Sequence, residues 1–291
     1  VSGSRRIYAL LVATTVVWGG SFVAVKHALN YLSPLELLLM RFAPASLAFG
    51  LLIGWRHRQG AGTLLRKEWR LLALMGLLGV LVYHLALNTG SQLIPAGTAS
   101  LIMAAEPAFV FLLSLFLLGE RLTWSKALGL MVAFIGLFVV IRFASQEQID
   151  FRYVQGALIT LLAPISWAAY TIVSRPLATK YPPLAVTGMG VVFGALPVLF
   201  TATQGLLLKL QQMPWDGWAS VLYLALLATV CGVTVWVTAL QRLEASRVGV
   251  FIYLVPLWSA VLSKLVLAEP ITPALVLGAG LVIGGVALVN R

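Results

Sequence analysis

Long apolar runs, each about as long as a bilayer is thick, alternate with short polar gaps along the whole chain. A helix rises 1.5 Å per residue, so a hydrocarbon core of about 30 Å takes roughly 20 apolar residues. Runs of that kind predict helices near 7–28, 34–54, 71–90, 97–118 and 126–141. A second set is predicted near 154–174, 184–208, 217–240, 247–267 and 273–289. The longest gap, from Trp55 to Arg70, has room for an interfacial turn, and nothing is left over for a soluble domain. The expected fold is an all-α polytopic membrane protein with ten transmembrane helices.

Composition agrees with the pattern. Sixty per cent of the 291 residues are hydrophobic and 10% are charged, with a mean hydropathy of +0.98. Soluble domains carry roughly 25% charged residues, so this chain lacks the polar surface to face water. The net charge of +11 raises the question of a nucleic-acid partner. The basic residues instead occupy the short gaps between apolar runs, as topology signals do. Fourteen Lys and Arg fall on one side of the predicted spans and five on the other, with Arg41 inside a span. The positive-inside rule then puts both termini in the cytoplasm. The first run follows Arg5 and Arg6 and has no small-residue cleavage site after it, so it reads as a retained span. Cys231 is the one cysteine, which excludes an intrachain disulfide; inside an apolar run it reads as a small buried packing residue.

The chain repeats itself. Adding 149 to a position in the first half takes Trp18 to Trp167, Pro34 to Pro183, Trp69 to Trp218, Thr89 to Thr238 and Gln92 to Gln241. The same offset takes Pro107 to Pro256, Ser114 to Ser263, Glu120 to Glu269, Gly129 to Gly278 and Gly136 to Gly285. The expected domains are therefore residues 1–145 and 150–291. Each carries five spans, and an odd number makes the second copy enter the membrane inverted. Inverted repeats give two pseudo-equivalent shapes, open to opposite sides, with substrate held between them near the midplane. That arrangement points to transport by alternating access.

Ionisable groups inside spans are costly, by about 2.5–3.5 kcal/mol at mid-helix, and are candidates for function. His84, with Tyr83 beside it and Asn88 one turn on, offers either a substrate hydrogen bond or a proton carrier; the alternative is a neutral histidine satisfied by a neighbouring helix. Glu106 stands just before Pro107 near the middle of the fourth run and is read as a coupling group or as a structural hydrogen bond. Pro107 and its partner Pro256 each remove a backbone donor and offer flexing points. Arg41 reads as snorkelling or pairing with Glu36 on a peripheral helix, and Lys26 and Lys264 as interfacial. Glu120 and Glu269 read as capping or stapling helix ends. Trp18 and Trp167 are repeat partners far from the interfaces where membrane tryptophans belong, so a cavity wall for apolar, aromatic or ammonium groups is an alternative to helix packing. Tyr253, Trp258 and Trp236 are weaker candidates of the same kind. Gly190–Gly194 and Gly280–Gly284 have the small-xxx-small spacing, read as packing within a monomer.

Several function classes find no support. No phosphate-binding loop is present for ATP hydrolysis. An enzyme embedded in the membrane needs clustered groups, yet His27, His57 and His84 lie in three separate segments with no metal-ligand spacing. No ring of filter carbonyls or charges suggests a channel. A proton/drug exchanger of the small multidrug type needs a carboxylate in the first helix, and none is there.

Glu106-Pro107-Ala-Phe-Val-Phe, then Leu118-Gly119-Glu120-Arg121-Leu122, then Gly129 and Gly136, resemble the EamA-type drug/metabolite transporters. Val255-Pro256, Ala268-Glu269-Pro270, Gly278 and Gly285 echo them in the second half, and Trp18-Gly19-Gly20-Ser21-Phe22 is similar to that family's first helix. Within the family the chain most resembles the amino-acid exporters of bacterial inner membranes, including the YddG type. The resemblance implies a ten-helix, two-repeat fold with a central cavity, and export of aromatic or other neutral amino acids and related metabolites. An uncoupled facilitator, or export of nucleobases, sugars or drugs, is the alternative. The partners expected are a small-molecule substrate and membrane lipid, with no nucleic acid, cofactor or metal. The expected substrate-binding set is Trp18, Tyr83, His84, Glu106, Trp167, Tyr253 and Trp258.

Overall fold

The computed structural model describes residues 2–56, 58–117, 123–143, 151–240 and 250–289, and among them every regular element is helical. In the first half these are α1 (Ser2–Ala28), α2 (Pro34–Arg56), α3 (Arg58–Gly76), α4 (Tyr83–Ser91), α5 (Ala96–Met103), α6 (Glu106–Leu117) and α7 (Trp124–Phe143). In the second they are α8 (Phe151–Lys180), α9 (Pro183–Leu199), α10 (Gln204–Gln212), α11 (Trp215–Leu222), α12 (Gly232–Leu240), α13 (Leu254–Leu267) and α14 (Pro273–Val289). Two π-helical segments, Leu77–Val82 and Tyr223–Cys231, carry α3 into α4 and α11 into α12. Seven helical stretches are long and apolar enough to cross a membrane, and α9 with α10 forms an eighth candidate bent by 106°. Two shorter apolar helices, Phe251–Leu267 and Pro273–Leu288, follow. The protein is a multi-pass membrane protein.

One predicted gap and two predicted runs come out differently. The gap from Trp55 to Arg70 is mostly helix, because α3 begins at Arg58 and turns only at Glu68 (φ −122°, ψ 16°). The run 184–208 is broken between Leu199 and Gln204. The run 97–118 is broken at Ala104 and Ala105. Proline explains the last break, since Pro107 lacks an N–H and its ring clashes with the carbonyl four residues back, at Met103. The repeat-related Pro256 has the same effect, and Val250–Tyr253 ahead of it is a 3₁₀ turn. Helix starts recur at the 149-residue spacing: Ser2 and Phe151, Pro34 and Pro183, Tyr83 and Gly232, Trp124 and Pro273.

The halves interlock. α1 packs against α11, α12 and α13 of the second half, while α8 packs against α4, α5 and α6 of the first. α2 lies on α9, and α7 on α14. The α7–α14 crossing is close because its contact residues are glycines. A Cβ on Gly136 would stand 2.7 Å from the Val282 nitrogen, and one on Gly285 would stand 2.6 Å from the Gly129 carbonyl. Without side chains there the backbones approach and gain dispersion contacts, the main attraction between helices in lipid. Gly194 does the same for α9 against Val80 and the Gly76 carbonyl. Gly280 and Gly284 meet nothing within 4 Å, so the expectation that they pack within the monomer does not hold. Cys231 is likewise exposed rather than buried.

Large apolar side chains cover the outside, as a protein dissolved in lipid requires: Phe116 is 79% exposed and Phe200 91%. Polar staples lie at span ends. Lys26 Nζ sits 3.1 Å from Glu269 Oε1 and donates to the Ile94 carbonyl at 2.7 Å, so it is a paired cation and not a free interfacial one. The other Glu269 oxygen accepts the Ala96 N–H at 2.8 Å, capping α5 as its sequence position suggested. Glu120 lies outside the described residues. Glu36 is held by Lys209 at 2.8 Å and by the Ser33 N–H at 2.7 Å.

Candidate functional site

A cavity of about 1150 Å³, open mouth included, lies where the two halves interlock. Both π-helical segments reach its wall, through Gly79 and Val80 in one and Ala228 and Thr229 in the other, which are equivalent positions at the 149-residue offset. A π-turn spends an extra residue per turn and rotates the face of the helix that follows, and such segments concentrate at functional sites. Here Tyr83 and His84 come directly after the first segment, and both face the cavity.

Trp18, Tyr83, His84, Glu106 and Trp167 all line this one cavity. The Trp167 indole lies within electrostatic reach of the Glu106 carboxyl. A continuous train of rings runs from Phe42 to His84 (4.6 Å between centroids), Tyr83 (4.4 Å), Trp167 (5.1 Å) and Tyr170 (4.8 Å). Such spacings suit tilted and edge-to-face aromatic pairs. On the other side Trp18 Nε1 donates to the Ala228 carbonyl at 2.9 Å, reaching the π-segment across a gap kept open by Gly232, where a Cβ would stand 2.6 Å from that nitrogen.

His84 is 7% exposed and its Nδ1 has no partner among the described residues. Asn88, one turn on, donates to the Pro34 carbonyl at 3.2 Å and ties α4 to the start of α2. Tyr253 and Trp258, by contrast, are not on the cavity wall. Tyr253 packs beside the core around α5 and α6, and Trp258 sits at the α1–α13 crossing, its Cβ against Gly19. Trp236 packs tilted against Trp18, 5.1 Å between ring centroids, and also stays off the wall.

Arg41 overturns its sequence reading. It does not snorkel and does not pair with Glu36. It is 9% exposed, lines the cavity, and donates Nε to Thr229 Oγ1 at 2.9 Å. α2 is pressed on α9 and on the second π-segment, so this helix is not peripheral and its in-span cation faces inward. The signal was present, since an ionisable residue in mid-span is a functional candidate by default.

The model of the family described as the EamA-like transporter family matches residues 5–142 and again 154–291. An uncharacterized transporter of Archaeoglobus fulgidus is 31% identical over 284 residues, covering 98% of each chain. A protein of Streptantibioticus cattleyicolor named a probable terminal-alkyne amino-acid exporter is 32% identical, covering 99% of this chain and 94% of its own. A probable amino-acid metabolite efflux pump of Salmonella typhimurium is 30% identical, with 97% and 94% covered. A solved crystal structure superposes with a TM-score of 0.63 at 22% identity, over 96% of this chain and 94% of that one, a likeness of fold.

Proposed function

Given that the chain belongs to the EamA-like transporter family, we propose that it exports amino acids, aromatic and other neutral ones, and related small metabolites. It works as a secondary transporter by alternating access, with ten spans in two inverted five-helix repeats around a midplane cavity. It acts as a monomer in a bacterial inner membrane with both termini in the cytoplasm, and it binds and releases its cargo without breaking bonds in it.

The observation that carries this reading is the convergence of Trp18, Tyr83, His84, Glu106 and Trp167 on one cavity between the halves. Aromatic faces there suit an apolar or aromatic side chain, and the polar groups suit the charged end of the same molecule. The names of two similar proteins, an amino-acid exporter and an amino-acid metabolite efflux pump, support the cargo class. The test is uptake of labelled aromatic and aliphatic amino acids into proteoliposomes, with and without a pH gradient, beside empty liposomes and the double variant Trp167→Ala/His84→Ala. Saturable uptake that the double variant loses is expected. No uptake above empty liposomes from folded protein would refute the amino-acid reading.

A further inference from the structure

We propose that Arg41 is the carboxylate anchor of the cargo site, so that the cavity recognises the acid end of a zwitterion through this one guanidinium. The inference rests on the amino-acid reading above and adds a residue and an orientation to it.

Arg41 stands in the middle of an apolar helix, where a cation is expensive unless something answers its charge. Among the described residues, no carboxylate makes a salt bridge to it. The nearest acid on its own helix, Glu36, is already held by Lys209 and Ser33. Among the described residues its one hydrogen bond is from Nε to Thr229 Oγ1, and that hydroxyl in turn donates to the Leu224 carbonyl at 2.8 Å. The hydroxyl has a single proton and has given it away, so toward Arg41 it can only accept. Thr229 therefore fixes the guanidinium by its inner edge and does nothing to its charge. The Phe42 ring, 5.4 Å from the guanidinium carbon, adds a cation–π contact.

What this leaves is the outer edge of the guanidinium, with its two terminal nitrogens, on a residue that lines the cavity. A planar fork pinned on one side presents parallel N–H groups on the other, the geometry that matches a carboxylate bidentately. The charges around it agree with the assignment. Tyr83 lies within electrostatic reach of both Arg41 and Glu106, and His84 of Arg41. Glu106 carries the cavity's carboxyl and makes no salt bridge to Arg41. The cavity thus offers a cation for a carboxylate and a separate carboxyl for an ammonium, with rings between them for the side chain.

Two half-substrates test this on the purified full chain: 3-phenylpropionate, an acid with no ammonium, and phenethylamine, an amine with no acid. Binding is measured by calorimetry, and phenylalanine uptake is measured in parallel. In the unaltered protein both probes bind. Arg41→Gln weakens the acid at least tenfold and the amine less than twofold, and Arg41→Lys recovers part of the loss. Thr229→Val, which keeps the charge and the volume but removes the inner pin, weakens the acid about threefold and spares the amine. Acid binding that is unchanged in Arg41→Gln, or no acid binding by the unaltered protein, overturns the proposal. Equal weakening of both probes in both variants overturns it too. If phenylalanine is carried and Arg41→Gln leaves acid binding unchanged, the anchor fails and the transport reading stands. If the acid and amine separate as described but no amino acid is carried, the anchor stands and the transport reading fails.

Discussion

Where the first half places Arg41, Phe42, His84 and Glu106 on the cavity wall, the second half places Gly190, Val191, Val233 and Val255 at positions 149 residues on. The backbone frame is shared: Trp18 answers Trp167, and Pro107 answers Pro256. Only the chemistry differs. Arg41, His84 and Glu106, the acidic and basic residues of the cavity wall, belong to the first half, and their counterparts in the second are glycine and valine. Pseudosymmetry of the frame serves movement, which needs two alike halves. Asymmetry of the lining serves recognition, because an amphipathic molecule has unlike ends and needs unlike walls.

The comparison can be broken most directly by making the first half resemble the second. Glu106→Val substitutes its repeat partner's residue and takes the carboxyl out of the cavity. A hydrogen bond to a charged group contributes about 1.5–3 kcal/mol, or roughly ten- to hundredfold. Phenylalanine uptake by this variant should fall to within that range, and uptake above half of the unaltered rate would show that the one-sided lining does not matter.

His84→Val is expected to act next most strongly. It keeps some of the packing against Phe42 and loses the imidazole, so a loss of one neutral hydrogen bond, about 0.5–1.5 kcal/mol, predicts a two- to tenfold weaker apparent affinity. Titrating uptake against substrate concentration reads it. The reverse change, Val233→His, should gain nothing, since no polar end of the cargo is directed to that wall.

Enlarging the apolar wall tests its own share. In Val191→Ala/Val233→Ala the cavity gains room for a larger side chain, and competition between labelled phenylalanine and valine should shift about threefold toward phenylalanine. Specificity in apolar pockets moves by only about 1–3 kcal/mol per methylene. The smallest effect belongs to Tyr253→Phe and Trp258→Phe. Neither parent side chain reaches the wall, so uptake should stay within about twofold; a larger drop would extend the site beyond the cavity described.

How far the sequence carried the reading depends on which physical requirement each feature obeys. Spans were legible because a bilayer imposes a length on every apolar run, and Trp18, Tyr83, His84, Glu106 and Trp167 stood out as groups that lipid does not tolerate without a reason. Rotation about the helix axis was not legible. A helix that is apolar all round, as α2 nearly is, gives no polar face from which to orient it, so the pattern alone does not turn Arg41 inward. The π-segments were hidden for a related reason: α and π turns have the same hydropathy and differ only in register. Gly280 and Gly284 have the spacing of a packing motif but no partner, because spacing shows which glycines share a face and not what that face meets.

The glycine seam between α7 and α14 has a consequence for the making of the protein. α7 ends the first half, yet the surface its glycines fit is the last described helix, synthesised well over a hundred residues later. α1 and α8 also lie against the opposite half. During synthesis, α7 must therefore wait in the membrane with its smooth face turned to lipid until α14 arrives to cover it. Contacts so distant in sequence form late and slowly, and neither half can reach its final packing before the other is present. A chain cut before Pro273 should leave the translocation machinery with all its earlier spans inserted and still be recognised by membrane proteases as unfinished.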